Sequence, residues 1–448
     1  MREIDFLLAF LLGMLFNIGS IYYGNYVGVM LAAIILSAIM NVLWVKKPIN
    51  LIVLASVLAA NPANLSTSIS LNLIFIAFWF IFHMEAIRTL STWSLWVLFG
   101  AFLSVFTSVV NWQTSGTIFT QLAAITNYLI GPLLLIPLFY SQMKKVHSVT
   151  SNAKALLWAL VIPSIIYLLS AHTFGDIVID FTSLFQQYGI NVTIYRLGNV
   201  NFHLTRTQVG IPLAALSSVC VSFLIAHKSE YRIVAICCIG ACIYLFLVTG
   251  SWGSILAAML SVIFVFLLSS FGVRVPLRQS LVIVSFVSAG LIGWEYLPET
   301  IQRYFTWRFE QSFVTEMTVF DRIQIWQLSL SYLADNLIGR GWDLWIAPLG
   351  IYPHNDYLVY GISFGVICGL MYLLTIVQIL ILNIKNGKNQ TLRWSDPILL
   401  AGIAATSVLF INSFFDHLTA NRWYYNVVWS IVWFCYYAGQ RRRINYHG

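Results

Sequence analysis

Long apolar runs without a charge constrain the fold more than any other feature of the sequence. Residues 6–45, 89–143 and 233–273 contain no Asp, Glu, Lys or Arg. A helix needs about 20 apolar residues to cross a bilayer, so each run is long enough for two spans. Of the 448 residues, 59% are hydrophobic and 9% are charged, which is unlike a soluble domain. The sequence therefore predicts an all-α polytopic membrane protein, with residues 1–448 forming a single integral membrane domain.

The number of spans follows from cutting the runs at clusters of Gly, Pro, Asn and Ser. This division predicts about fourteen spans, with twelve as the alternative because the segments 49–62 and 69–84 are short. The first run continues without a small-residue cleavage site, so we expect it to remain as an anchor. The other predicted spans are 6–22, 27–45, 92–110, 117–140, 155–171, 207–226, 233–249, 254–272, 280–297, 357–384, 397–414 and 426–439.

The distribution of basic residues predicts the orientation in the membrane. Seven of the 24 Lys and Arg residues fall on one side of the predicted topology, and the other 17 fall on the opposite side. The richer side is cytoplasmic, because Lys and Arg are retained there during insertion. Both termini are then cytoplasmic, and residues 441–448 form a basic tail. The net charge of +8 follows from this topology, so we do not predict a nucleic-acid partner.

All of the basic residues on the outer side are arginines, and all of the lysines are cytoplasmic. Arginine pairs with phosphate oxygens through two parallel N–H bonds, whereas lysine acts as a point charge. The pattern favours an anionic, phosphate-bearing ligand at the outer face, and pairing with outer acids is the alternative for any single arginine. The outer arginines are Arg196, Arg206, Arg303, Arg308, Arg322, Arg340 and Arg422.

Two outer loops, residues 173–206 and 298–353, are the only sizeable loops that the topology predicts. Within the second, apolar side chains recur at three- and four-residue steps over 320–335, which predicts an amphipathic helix. We expect it to lie on the membrane surface or to cap the bundle. The segment 338–342, Ile-Gly-Arg-Gly-Trp, predicts a tight turn back to the bilayer. The apolar positions are Ile323, Trp326, Leu330 and Leu333.

Three polar residues, His354, Asn355 and Asp356, stand at the mouth of the next apolar run. A histidine takes up a proton near neutral pH, and an amide orients a hydroxyl or a carbonyl group. The carboxylate either fixes the imidazole ring or faces water. The alternative to a catalytic site is a helix cap at the membrane interface, since Asn and Asp are favoured N-caps.

Several other functions are not predicted. All six cysteines fall within spans, so neither a disulfide framework nor a zinc site is expected. The sequence has no Gly-rich nucleotide loop, and we predict no cofactor and no metal ion. Ionisable residues are nearly absent from mid-span positions, which argues against an ion-coupled transporter.

The stretch HNDYLVYGISFG resembles the His-Asn-(nine residues)-Gly signature of the bacterial O-antigen ligase and O-antigen polymerase family, through His354, Asn355 and Gly365. The preceding DRIQIWQLSLSYLADNLIGRGW resembles that family's arginine-bearing loop helix and Gly-x-Gly turn. Upstream, LTRTQVGIPLAAL and LVTGSWGSILAAMLSVIFVFLL resemble its arginine-then-glycine and Thr-Gly-Ser-Arg-Gly spans. The chain departs from the pattern at Trp252, where a basic residue is usual, and at Cys368, where the ligases carry glycine. Both departures weaken the likeness to ligases more than the likeness to polymerases.

The resemblance implies a GT-C-type glycosyltransferase of the bacterial inner membrane, with a partly helical periplasmic loop at 298–353. Such an enzyme acts without metal on undecaprenyl-diphosphate-linked sugars at the periplasmic face, surrounded by membrane lipids. It makes His354 the candidate base, oriented by Asn355 or Asp356. The diphosphate-binding candidates are Arg206 and Arg322, followed by Arg196 and Arg340. The candidate sugar contacts are Tyr352, Tyr357 and Trp342, for which an interfacial aromatic belt is the alternative.

Within the family, the resemblance favours the polymerase, which moves a growing glycan onto the next lipid-linked repeat unit. The ligase, which moves finished glycan onto lipid A-core, is the alternative, and capsule or exopolysaccharide polymerases fit the sequence equally well. A flippase for lipid-linked oligosaccharide is the alternative from a different class, although the charge-free runs argue against a charged passage. The expected protein partners are a chain-length regulator and a flippase.

Overall fold

The computed structural model of the chain is largely helical. The predicted spans at 6–22, 27–45, 49–62, 69–84, 92–110 and 280–297 lie outside the residues that it describes. The residues that the structure describes are 124–130, most of 153–165, 192–197, 200–226, 231–249, 252–272, 319–342, 349–350, 352–388, 396–415, 422–447 and a few single positions.

Eight α-helices occupy most of these residues, close to the predicted positions. The helix from Val366 to Gly387 and the helix from Pro397 to Phe415 are long and apolar enough to cross a bilayer. Because many predicted spans lie outside the described residues, the total of fourteen stays a prediction. The helices are α1 Arg206–Ile225, α2 Arg232–Thr249, α3 Trp252–Gly272, α4 Val319–Asp335, α5 Asp356–Phe364, α6 Val366–Lys388, α7 Pro397–Phe415 and α8 Arg422–His447. Two π-helical segments, Ile125–Ile130 and Leu157–Val161, lie within the predicted spans 117–140 and 155–171.

The outer loop 173–206 contains the β-structure of the described residues, which the sequence analysis did not predict. Strands β1 (Val192–Leu197) and β2 (Val200–Thr205) form an antiparallel hairpin there, and α1 begins directly after it. Both segments are rich in β-branched and aromatic residues, which favour strands. The dipeptide between them is Gly-Asn, a pair typical of two-residue hairpin turns. The sequence therefore carries a signal for the hairpin that is independent of hydropathy.

The core of the described bundle lies between α1 and α7. Helix α1 is buried along nearly its whole length, with Leu213, Leu216 and Val219 fully buried. Helix α1 packs against α2, α3 and α7, and α7 also packs against α3. The Ser261 hydroxyl on α3 donates to the Ala404 carbonyl on α7, 2.9 Å away. A helix that is apolar on every side is best placed at the centre of a bundle, which explains the position of α1.

The predicted single span at 357–384 is wrong, because the chain reverses at Gly365. Helix α5 has nine residues, too few to cross a bilayer, and Gly365 separates it from α6 with φ +97°. The rings of Tyr360 and Tyr372 stack with centroids 4.3 Å apart. A Cβ added to Gly369 would lie 2.7 Å from the Tyr357 carbonyl oxygen. Helix α5 therefore folds back along the first turns of α6.

The turn that follows α4 fills the break between these two helices. The last carbonyls of a helix and the first amides of the next have no partner within their own helices. Here the backbone of residues 337–341 supplies those partners through three hydrogen bonds of 2.9 Å. The bonds run from the Arg340 amide to the Ile362 carbonyl, from the Gly341 amide to the Ser363 carbonyl, and from the Val366 amide to the Leu337 carbonyl.

Close backbone contact explains the two glycines at this junction. A Cβ on Gly339 would lie 2.5 Å from the Gly365 nitrogen, and a Cβ on Gly365 would lie 2.8 Å from the Ile338 carbonyl oxygen. Both glycines have positive φ, at 85° and 97°. Residues with side chains are disfavoured in that conformation and find no space in this contact. The Gly-x-Gly turn and the glycine of the His-Asn signature are thus two halves of one contact.

The Gly365→Ala substitution is expected to lower the free energy of unfolding by roughly 2 kcal/mol or more, because it combines a left-handed backbone with a steric clash. The Gly240→Ala substitution on α2 is the matched control, since nothing lies within 4 Å of an added Cβ there. Thermal unfolding of the detergent-solubilised protein measures both. Equal melting temperatures for the two variants would contradict the proposed role of the contact.

Candidate active site

Asn355 connects the polar segment at 353–356 to two helices. It is the N-cap of α5, and its Oδ1 accepts a hydrogen bond of 3.1 Å from the Leu358 amide. Its Nδ2 donates to the Phe414 carbonyl at the end of α7, 3.4 Å away. Asn355 is 4% exposed, and its bond with the Leu358 amide is buried. The helix cap offered above as an alternative to catalysis is therefore present, and it is formed by Asn355.

His354 has a left-handed backbone. Its φ is 48°, and among the described residues it is the only non-glycine residue with positive φ. This conformation costs an L-residue about 1–2 kcal/mol, and such strain persists only where the surrounding structure imposes it. The half-buried imidazole contacts the Tyr352 ring edge to face, with centroids 5.9 Å apart. Strained residues of this kind concentrate at active sites, which singles out His354.

Helix α4 supports the segment from the other side. The indole nitrogen of Trp326 donates to the Pro353 carbonyl, 3.0 Å away. This bond holds the residue before His354, and the cap of Asn355 holds the residue after it. The backbone of the histidine is thus fixed on both sides. The sequence predicted Trp326 only as part of the apolar face of α4. A hydrogen bond to a distant carbonyl cannot be predicted from the spacing of apolar residues in a helix.

Arg322 lies one turn before Trp326 on α4 and reaches the same end of α7. Its Nη1 donates to the Phe415 carbonyl, next in the chain to the Phe414 carbonyl that Asn355 binds. The last carbonyls of a helix carry a partial negative charge, which attracts a guanidinium group. The structure therefore brings Arg322 close to the His-Asn segment.

Asp356 is buried rather than facing water. It is 0% exposed, and its Oδ2 accepts a hydrogen bond of 3.2 Å from the Ser413 hydroxyl on α7. The hydroxyls of Ser413 and Tyr372 lie 3.2 Å apart. Asp356 is also the first residue of α5, where the positive end of the helix dipole stabilises a carboxylate. The water-facing interpretation of Asp356 is wrong, because this carboxylate joins α5 to α7 and, through Ser413, to α6.

The structure places Arg340 and Trp342 away from this segment. The Arg340 amide binds at Ile362, roughly 10 Å along α5 from Asn355 at 1.5 Å per residue. Its guanidinium binds the Asn336 side chain, with Nε 2.8 Å from Oδ1. Trp342 is 3% exposed and stacks on Tyr128, with centroids 4.3 Å apart. Burial of Trp342 favours a packing role over contact with a sugar.

The other candidates divide into two groups. Tyr357 is half-buried, and its hydroxyl donates to the Phe410 carbonyl, 3.2 Å away. Its ring packs against Tyr372 on α6 and Phe414 on α7, whereas Tyr352 contacts the His354 ring. The backbone places Arg196 on β1 and Arg206 at the first residue of α1, and their side chains lie outside the described part of the chain. Among the described residues, no group of three His, Cys, Asp or Glu is placed to hold a metal ion, and metal independence stays a prediction.

Comparison with known families identifies the region that carries this geometry. A model of the O-antigen ligase family matches residues 233–374. This region belongs to the O-antigen ligase and polymerase family. It runs from α2 to the first turns of α6 and includes Arg322, Trp326 and the His-Asn signature. No curated protein matches the chain.

The match to the O-antigen ligase family covers about a third of the chain and supports a general type of function. It supports an integral membrane protein of lipopolysaccharide or polysaccharide biosynthesis. The match supports an enzyme that acts on lipid-linked oligosaccharide. The matched region ends before α7, so the helix end that receives Arg322 and Asn355 comes from outside it.

The Asn355→Ala substitution is expected to lower the free energy of unfolding by about 1–2 kcal/mol, because it removes the cap of α5. The Asn355→Ser substitution keeps an acceptor for the Leu358 amide and loses only the bond to Phe414, so it should retain most of that stability. Thermal unfolding of both variants beside the wild type measures the difference. Equal losses in Ala and Ser variants would rule out the capping contribution.

Proposed function

We propose that this protein is an O-antigen or related surface polysaccharide polymerase. It transfers undecaprenyl-diphosphate-linked glycan onto the next lipid-linked repeat unit. The observation that carries the proposal is the strained backbone of His354, held between Trp326 and Asn355 at the helix end that also receives Arg322. The family match over 233–374 supports a glycan-transferring enzyme.

The reaction breaks the bond between the anomeric carbon and the diphosphate oxygen, and forms a bond to an acceptor sugar hydroxyl. His354 is the base in this proposal, and it takes the hydroxyl proton as the new bond forms. One direct displacement inverts the anomeric carbon. Negative charge grows on the departing diphosphate, and fixed cations stabilise it most effectively where water is scarce. The step needs no metal ion and no cofactor.

Arg322 is the first candidate for binding the diphosphate. A guanidinium group has five N–H donors, and the bond to the Phe415 carbonyl uses one of them. That bond holds the side chain in place before substrate arrives. The arginine side chain therefore loses less conformational entropy when the substrate binds. Arg206 is the second candidate, because it begins α1 directly after the hairpin. Arg196 on β1 stays a further candidate, whereas the position of Arg340 at the far end of α5 favours a structural role.

The proposed site faces the periplasm, with both termini in the cytoplasm of a bacterial inner-membrane protein. This orientation rests on the excess of Lys and Arg on the other side of the predicted topology. A GT-C-type architecture fits the helical bundle and a site at the ends of helices. Tyr352 and Tyr357 are the proposed sugar contacts, and a chain-length regulator and a flippase are the proposed protein partners.

The ligase is the second candidate function, because the matching family is described as O-antigen ligase. Two features of this chain support the polymerase instead. Trp252 replaces the usual basic residue, and Cys368 stands where ligases carry glycine. The close approach of α6 to α5 is made at Gly369, where an added Cβ would lie 2.7 Å from the Tyr357 carbonyl oxygen. The glycine contact is thus one residue further along than the ligase pattern places it.

The His354→Ala substitution is expected to abolish the polysaccharide ladder, because it removes the base. Membranes of the variant should contain the protein at the wild-type level, and its polysaccharide should be compared on a gel with those of the wild type and a deletion strain. Single repeat units on lipid A-core identify loss of a polymerase. Bare core with accumulated lipid-linked polymer identifies loss of a ligase. A normal ladder would remove His354 from the reaction.

The Arg322→Ala substitution is expected to slow polymer formation on the order of 100-fold, as for other residues that stabilise developing charge. The Arg322→Lys substitution should fall between the Ala variant and the wild type, because lysine keeps the charge and loses the two-pronged geometry. The Arg303→Ala substitution is the control, since Arg303 forms an exposed 2.5 Å surface pair with Glu299 and should be dispensable. Rates come from pulse-labelled polysaccharide. Equal rates for the Arg322→Ala and Arg303→Ala strains would exclude Arg322 from the reaction.

A further inference from the structure

We propose that Trp326 is a positioning residue for His354, acting through the Pro353 carbonyl. The inference rests on the proposed function, since it takes His354 as the base. Trp326 touches no reacting group itself. Its indole N–H donates to the Pro353 carbonyl, 3.0 Å away. This bond determines the direction in which the His354 side chain projects from the backbone.

Planarity of the peptide unit transmits the effect. The Pro353 carbonyl and the His354 nitrogen belong to one planar unit, so a bond that fixes the carbonyl also fixes the nitrogen. The proline ring restricts the preceding backbone, and Pro353 is buried. The φ of His354, 48°, is the rotation measured from this fixed plane. Trp326 therefore stabilises a conformation that histidine would otherwise leave.

Packing of α4 against α5 fixes the helix that carries Trp326. The buried face of α4 includes Ile325, Ser329 and Leu333. The Leu333 side chain lies 3.1 Å from a Cβ added to Gly361 on α5. The backbone position of Trp326 is thus set by the contact between α4 and α5. The hydrogen bond to Pro353 adds a second contact between α4 and the segment that precedes α5.

Trp326 and Arg322 share one face of α4, because residues four apart in a helix are neighbours. Arg322 reaches the Phe415 carbonyl while Trp326 reaches the Pro353 carbonyl. Helix α4 therefore positions Arg322, the candidate for binding the diphosphate, and supports His354, the candidate base. A shift of α4 would disturb both, whereas loss of the indole N–H alone should affect only the base. This difference separates a positioning role from a packing role.

The test measures kcat and KM of the purified full-length protein on undecaprenyl-diphosphate-linked repeat units extracted from a strain that lacks it. The Trp326→Phe substitution keeps an aromatic ring and removes the donor. We expect kcat to fall about tenfold, the size of one lost hydrogen bond, with KM unchanged. The control is Trp433→Phe on α8, because Trp433 is 6% exposed and its indole nitrogen has no partner among the described residues. It should keep the wild-type kcat.

Two results would overturn the positioning role. A wild-type kcat for Trp326→Phe would show that the donor is dispensable. A raised KM with an unchanged kcat would show that Trp326 serves the placement of Arg322 instead. If Trp326→Phe does not fold, benzothienylalanine is introduced at position 326, because it keeps the indole shape and replaces N–H by sulfur. A tenfold lower kcat for that protein supports the proposal, and a wild-type kcat overturns it.

The His354→Ala variant is measured in parallel to separate the two levels of the argument. If His354→Ala is inactive and Trp326→Phe has the wild-type kcat, the positioning role fails and the proposed function stands. If His354→Ala retains the wild-type kcat, both fail. An inactive His354→Ala beside a tenfold slower Trp326→Phe with normal KM supports both.

Discussion

Hydrogen bonding of the backbone at the break between α5 and α6 is the constraint on which the rest of the structure depends. An unpaired backbone group inside a membrane costs several kcal/mol, so a helix can end there only if other groups supply partners. The turn at 337–341 supplies them, and glycine at 339 and 365 allows the backbones to approach closely. Helix α5 can end after nine residues, and its N-cap, Asn355, contacts the end of α7. The candidate site exists because of this break.

The end of α7 then joins segments that are far apart in the chain. Adjacent carbonyls of Phe414 and Phe415 accept hydrogen bonds from Asn355 and Arg322 respectively. Ser413, next to them, binds the buried carboxylate of Asp356. The terminal carbonyls of a helix are strong acceptors with few partners of their own, which suits them to this role. Helix α7 thus positions both the His354–Asn355 segment and Arg322, the candidate for binding the diphosphate.

Hydropathy was enough to predict most of the described helices, because a bilayer imposes one length and one composition on them. Periodicity placed a helix near 320–335, and α4 occupies Val319–Asp335. The reversal at Gly365 could not be predicted in this way. Hydropathy gives the length of an apolar segment, but it does not show whether the chain turns back within that segment. Positive φ at Gly365 and His354 depends on contacts with distant residues. The bond between Arg322 and Phe415 is likewise a consequence of the fold, so charge alone could only nominate Arg322 as one of seven outer arginines.

The left-handed backbone of His354 sets the stability of the fold against the proposed catalytic role of this residue. Glycine adopts that conformation without strain, and asparagine visits it because its short polar side chain can form local hydrogen bonds. Under the proposed function, laboratory evolution for heat resistance alone is therefore expected to replace this histidine by glycine or asparagine and to lose activity in doing so. Thermostabilised versions of this protein should be sought elsewhere in the chain, with residue 354 held constant.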